Sequence, residues 1–156
     1  MSTEQRFVAP RFVAPGSGMQ YDVLGGDQIT IKATAKDTGG AMTILETTVP
    51  AGAGPPRHMH SRESETFYVL EGEFEFEVDG ETTRASVGAF LSAPPNVPHQ
   101  FRNVADQPGR LLIVCQPGGF EDFVSDFASL PTDQPPDMAR MAQIGADHGV
   151  TFLPPA

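Results

Sequence analysis

The chain has 156 residues, with ten basic against twenty acidic side chains and a formal charge of −10. That length is read as one domain with a core of its own; the negative balance repels phosphate backbones and anionic lipid surfaces, which argues against nucleic acid, membrane and highly phosphorylated substrates as partners. The single cysteine, Cys115, excludes a disulfide framework within the chain, and its place in the run LLIVC makes it a small buried hydrophobe.

In chain order, MSTEQRFVAP has no basic region followed by an apolar one, and no segment reaches the length of a bilayer span. A cytoplasmic protein is expected. The pentapeptide RFVAP occurs twice in tandem from Arg6 to Pro15, too short a period for a solenoid, and Pro10 and Pro15 would break a central strand. Residues 1–27 are therefore read as an extended arm, of a kind that could lie on a partner subunit.

Residues 28–117 read as β throughout. QITIKAT alternates apolar and polar positions, AMTILETTV is rich in β-branched residues, and ETFYVL leads into EFEFEV, where Phe74, Phe76 and Val78 face one way and Glu73, Glu75 and Glu77 the other. Asp79-Gly80 is a hairpin signal. HQFRNV and RLLIVC supply two further strands, and the absence of any helical period among them predicts a closed or double-sheet all-β domain.

Residues 118–156 change period. Phe120, Phe123, Val124 and Phe127 recur at helical spacing with Glu121 and Asp122 early, which predicts an amphipathic helix docked on the β domain. PTDQPPD breaks it. Asp137 can cap a second helix carrying Met138, Met141 and Ala142, Gly149 ends that helix, and VTFLPPA closes in extended form.

The chemistry-bearing stretch is GAGPPRHMHSRESETFYVLEG, Gly52 to Gly72. His58 and His60 are two apart, so on a strand both imidazoles leave the same face and can act as a ligand pair. Glu65 shares strand parity with the apolar Phe67 and Val69 and is aimed into the core, whereas Glu63 and Glu71 fall at turns and are expected in solvent. A buried carboxylate without a partner is costly, and a metal ion shared with neutral imidazoles removes that cost. Of the two remaining histidines, His99 follows the prolines of APPNVPHQFRNV into a strand, and His148 suits the C-terminus of the second helix.

These residues resemble the cupin family. Its first motif, G-x5-H-x-H-x4-E-x6-G, is filled by Gly52, His58, His60, Glu65 and Gly72; its second, G-x5-P-x-G-x2-H-x3-N, is met by Gly88, Pro94, His99 and Asn103. Asn96 stands where the family usually has glycine, and asparagine tolerates the left-handed backbone such a turn can need. The resemblance implies a double-stranded β-helix (jelly roll) followed by the two C-terminal helices. It also implies that His58, His60, Glu65 and His99 hold one divalent transition metal. Imidazole ligation leaves iron, manganese, nickel, copper, cobalt and zinc open. Cupins commonly pair through sheet edges, so a homodimer is expected, with the arm as a candidate edge cover.

HSRESETFYVLEGEFEF, the helices and the GVTFLPP tail are most similar to small quercetinase-like cupins. That resemblance implies a dioxygenase opening a flavonol-like or other β-keto-enol aromatic substrate with dioxygen. Glu65 would act as the base, in a pocket for which Met59, Phe67, Phe76, Phe90 and Phe101 are candidates, with Phe120 and Phe123 at its border. Two other readings stand beside it. One is a metal-assisted isomerase, decarboxylase or lyase acting on a small oxo compound; Arg57, Arg62 and Arg102 are the only basic side chains near the motifs, which disfavours phosphosugars. The other is a non-catalytic module that uses the metal to hold a small molecule.

Overall fold

The computed structural model describes residues 5–155. Within them the chain forms β1 (Met19–Asp22), β2 (Gln28–Ala33), β3 (Thr43–Val49), β4 (His58–His60), β5 (Ser64–Glu71), β6 (Phe74–Val78), β7 (Glu81–Ala85), β8 (Phe90–Ala93), β9 (His99–Asn103), β10 (Gly109–Gln116), α1 (Phe120–Ala128), α2 (Met138–Asp147) and β11 (Val150–Phe152). The strands assemble into two antiparallel sheets, ordered β1-β2-β3-β10-β5-β8 and β11-β4-β9-β6-β7. From β3 onward the chain passes back and forth between the sheets, with only the β6–β7 hairpin staying in one, as in a double-stranded β-helix.

Strand parity sets what lies between the sheets. Leu45 and Val49 of β3, Phe67 and Val69 of β5, Phe74 and Phe76 of β6, and Leu111, Ile113 and Cys115 of β10 all point inward and are buried. The phenylalanines meet edge-on or tilted: Phe67 lies 5.2 Å from Phe76 and 5.9 Å from Phe101, and Phe74 lies 6.0 Å from Phe101, centroid to centroid. Each such ring contributes roughly 1.5–3 kcal/mol through burial, with a smaller increment from ring geometry.

The predicted hairpin is present: Asp79 and Gly80 take φ of 53° and 85°, and β6 pairs with β7 from Phe74↔Ala85 to Val78↔Glu81. The alternation in EFEFEV holds, but one of its outward carboxylates is covered. Glu77 is buried, because the Arg57 guanidinium reaches its carboxylate at 3.2 Å and the Gly80 amide donates to it at 3.2 Å.

The division at residue 27 also needs correction. Met19–Asp22 forms β1, in register with β2 from Met19↔Ile31 to Asp22↔Gln28, so it belongs to the larger sheet rather than to a separate arm. MQYD is short and carries little alternation, which is why the sequence does not announce it. The tandem RFVAP copies form no strand and lie along their own chain. The Val8 amide donates to the Asp37 carbonyl at 3.1 Å, Arg11 Nε donates to the Lys32 carbonyl at 2.7 Å, and Lys32 Nζ donates to the Ser17 carbonyl at 2.7 Å. Phe12 nevertheless stays 89% exposed.

Helix α1 buries Val124 and Phe127, and its start is tied to the sheet through Glu121. That carboxylate accepts from the Ala35 amide at 2.9 Å, from the Gly119 amide at 3.2 Å and from the Thr43 hydroxyl. Helix α2 is capped by Asp137, whose side chain accepts from the Arg140 amide at 3.0 Å. Its inward face is Met141, Ile144 and Gly145, while Met138 and Ala142 are exposed. His148 follows the last turn of α2, and its Nε2 lies 2.6 Å from Asp126 Oδ2 on α1, joining the two helices. The extended tail becomes β11, paired with β4 from Val150↔His60 to Phe152↔His58, which covers the edge of the histidine strand.

Candidate metal centre

The segment before β4 is shaped to bring its histidines against β9. Gly52 turns the chain with φ of 76°, and a side chain on Gly54 would place its Cβ 1.9 Å from the Phe101 carbonyl oxygen. Only glycine permits this approach. Pro55 and Pro56 then extend the backbone into β4, where His58 pairs with His99 of β9. On the other side, Asn96 takes φ of 64°, the conformation for which a glycine substitute was expected, and its amide donates to the His60 carbonyl at 2.7 Å. Asn103 holds the far end of β9, its side-chain amide donating to the Val49 carbonyl at 3.0 Å and the Gln107 carbonyl at 2.8 Å.

This framework gathers His58, His60 and His99 with Glu65, the second residue of β5; one ligand atom from each lies within 4.8 Å of all the others, and all four residues are buried. His99 Nε2 is 2.8 Å from Glu65 Oε2, and His60 Nε2 is 3.1 Å from the same oxygen. The outward nitrogens are held as well: His58 Nδ1 donates to the Pro56 carbonyl at 2.7 Å and His99 Nδ1 to the Val97 carbonyl at 2.9 Å, while His60 Nδ1 is 3.1 Å from Glu63 Oε2. A carbonyl can only accept, so Nδ1 of His58 and of His99 carries a proton, which leaves Nε2 as the nitrogen of each ring that a metal would take.

The electrostatics differ from ring to ring. His58, with no carboxylate in hydrogen-bond contact, is pushed down to about 4 by burial and by the neighbouring His99. Burial opposes a charge on His60 too, but the Glu63 and Glu65 carboxylates outweigh it and raise that imidazole to about 9. Burial would also raise the Glu65 carboxyl, yet His60 and His99 at its oxygens hold it well below the usual carboxylate range. Without a metal the cluster thus keeps a positive charge between two buried carboxylates. His60 Nε2 is buried without an aligned hydrogen-bond partner. Three inward imidazole nitrogens and one carboxylate form a donor set suited to a divalent transition metal, and the unpaired His60 Nε2 is the atom such an ion would satisfy.

Glu63 departs from the expectation that it would be solvated: it is only 5% exposed and orients His60. The spacing His60-x-x-Glu63 was the available signal, and the turn beside it concealed it. Glu71 stays on the surface, 3.4 Å from Arg110.

A cavity of about 430 Å³ opens onto His58, His60 and Glu65. Phe101, Phe120 and Phe123 line it, together with Phe127, Met141 and Phe152. Phe120 stacks on Phe123 at 5.1 Å and lies 5.2 Å from the His60 ring. Four of the expected pocket residues are elsewhere. Phe67 and Phe76 are sealed in the core beneath the site, Phe90 is 68% exposed on β8, and Met59 alternates away from the histidines that flank it.

Residues 45–115 match the family described as Cupin domain. Over 108 residues the chain is 34% identical to the quercetin 2,3-dioxygenase of Bacillus subtilis, a match covering 69% of this chain and 32% of that protein. Over 95 residues it is 33% identical to the polyketide synthase CurC of Streptomyces cyaneus, covering 60% of each. The chain thus spans about a third of the first protein's length and under two thirds of the second's. Among solved structures, an RmlC-like cupin from Shewanella frigidimarina superimposes with a TM-score of 0.63 at 26% identity, over 78% of this chain and 100% of that one.

Proposed function

The chain belongs to the cupins, with its cupin domain over residues 45–115, and on that premise we propose that it is a metal-dependent dioxygenase for a flavonol-like or other β-keto-enol aromatic substrate. The observation that carries this reading is the phenylalanine-lined cavity that opens directly onto the His/Glu cluster. The likeness to quercetin 2,3-dioxygenase supports it.

A divalent transition metal held by His58, His60, Glu65 and His99 would supply Lewis acidity and redox chemistry. The chain's own groups do the rest. Phe101, Phe120 and Phe123 bind the flat apolar body of the substrate and exclude water from the site, which strengthens every polar contact inside. Glu65, at the edge of the cavity, would take the proton of an enolic hydroxyl and later return it. Glu63 and the Pro56 and Val97 carbonyls keep the three imidazoles aimed inward throughout.

Oxygen uptake in the presence of quercetin tests the proposal, with the protein loaded in turn with iron, manganese, nickel, copper, cobalt and zinc. Uptake with at least one metal is expected, and no uptake with any of them removes the dioxygenase reading. The likeness to CurC favours a second reading, oxygen-independent proton transfer on a polyketide-like β-keto-enol in the same cavity. Equal turnover under strict anaerobiosis would decide for it.

A further inference from the structure

The cavity has a second polar feature besides the His/Glu cluster. Asp27 and Thr47 both line it, 9% and 3% exposed. The Thr47 hydroxyl is buried with no hydrogen-bond partner. Among the described residues the Asp27 carboxylate has no hydrogen-bond or ion-pair partner either, although its backbone is fixed: the Val23 amide donates to the Asp27 carbonyl at 3.1 Å, closing the Val23–Asp27 loop.

Strand register places this pair away from the cluster. Glu65 is opposite Cys115, Cys115 is opposite Thr43, and Thr47 lies four residues further along β3, where it pairs with Ile29, two residues after Asp27. Two strand spacings across and four residues along amount to roughly 17 Å over the sheet surface. Leu45 and Ile113 form the apolar wall between.

We propose that Asp27 and Thr47 form a distal subsite that accepts a hydrogen bond from a hydroxyl group at the end of the ligand remote from the His/Glu cluster. An unpartnered carboxylate and an unpartnered hydroxyl in an apolar wall each carry an unrelieved desolvation cost, and a ligand hydroxyl relieves both. Burial also raises the Asp27 carboxyl to about 6, in keeping with a group that faces the cavity and has no protein donor. The ligand class is an apolar, multi-ring body with a polar group at each end: one at the cluster, and a hydroxyl at Asp27.

The inference rests on the reading of the cavity as an aromatic pocket, so its test separates the two. Binding of 4′-phenyl-3-hydroxyflavone and of its derivative with a hydroxyl at the far end of that phenyl ring is measured by calorimetry on the zinc-loaded protein, on Asp27→Leu and on Thr47→Val. The wild type is expected to favour the hydroxylated compound by about tenfold, the scale of a hydrogen bond to a charged group. Asp27→Leu should abolish that preference without weakening the parent compound, and Thr47→Val should reduce it. Equal binding of the two probes by the wild type, or a preference that survives both substitutions, overturns the subsite alone. Failure of both probes to bind the wild type overturns the aromatic pocket and the subsite with it.

Discussion

Replacing Asp27 by asparagine should make the protein more stable, and increasingly so as the pH rises. Burial raises the Asp27 carboxyl from 3.8 to about 6. The fold therefore favours the protonated acid, and the stability this provides is complete below about pH 4 and lost as the pH climbs through 6. A difference of about two pH units at 1.36 kcal/mol each makes the ionised side chain a liability of about 3 kcal/mol at pH 8, and about half that at pH 5. Asparagine keeps the shape and cannot ionise. Any cost of its unpaired amide is the same at every pH, so the diagnostic quantity is the change in the difference between the two proteins, about 1.5 kcal/mol from pH 5 to pH 8. Urea denaturation of both proteins at a fixed metal concentration and several pH values measures it, because all other titrating groups cancel in the comparison. A difference that stays flat with pH, or shrinks as the pH rises, refutes the assignment of Asp27 as an unrelieved buried acid.

Glu63→Gln should weaken metal binding about 10–100-fold without removing a ligand, since Glu63 orients His60; a chelator competition assay with an unchanged affinity would mean that His60 needs no such support. His60, raised to about 9 in the metal-free protein, must shed its proton to ligate, so metal uptake at pH 7 should release about one proton and tighten as the pH rises toward 9. Calorimetry in buffers of different ionisation enthalpy reads that proton, and pH-independent affinity contradicts the argument. Phe67→Ala, in the core beneath the site, is expected to cost about 3–5 kcal/mol of stability, whereas Phe123→Ala should chiefly weaken aromatic binding; thermal melts together with substrate titrations separate the two effects. We also propose a homodimer sealed in part by the arm, which presents Phe7, Val8 and Phe12 to solvent. Deleting residues 1–15 should halve the mass seen by light scattering, and an unchanged dimer takes the arm out of the interface.

The sequence alone carried the strand core and the shared face of His58, His60 and Glu65, because these follow from period and spacing, whereas His99 joined them through the resemblance to the cupins. Alternation put Glu65 on the same face as Phe67 and Val69, the His-x-His spacing put two imidazoles side by side, and Asn96, standing at the glycine position of the cupin motif, could be read as a residue that tolerates left-handed backbone. Glu63, Asp27, Thr47 and β1 were not legible in this way. Whether a polar residue near a turn is solvated or buried depends on what crosses over it, and the covers here come from distant segments: α1 and β11 over the histidine strand, and the Val23–Asp27 loop over the end of β3. Parity likewise could not tell the cavity from the core beneath it. Phe67 and Phe101 both point inward, but only the tertiary structure decides that the space beside Phe101 is left open while the space around Phe67 is filled by Phe76 and its neighbours. A strand's pattern reports the face to which a side chain points, and burial and emptiness belong to whatever the rest of the chain brings to that face.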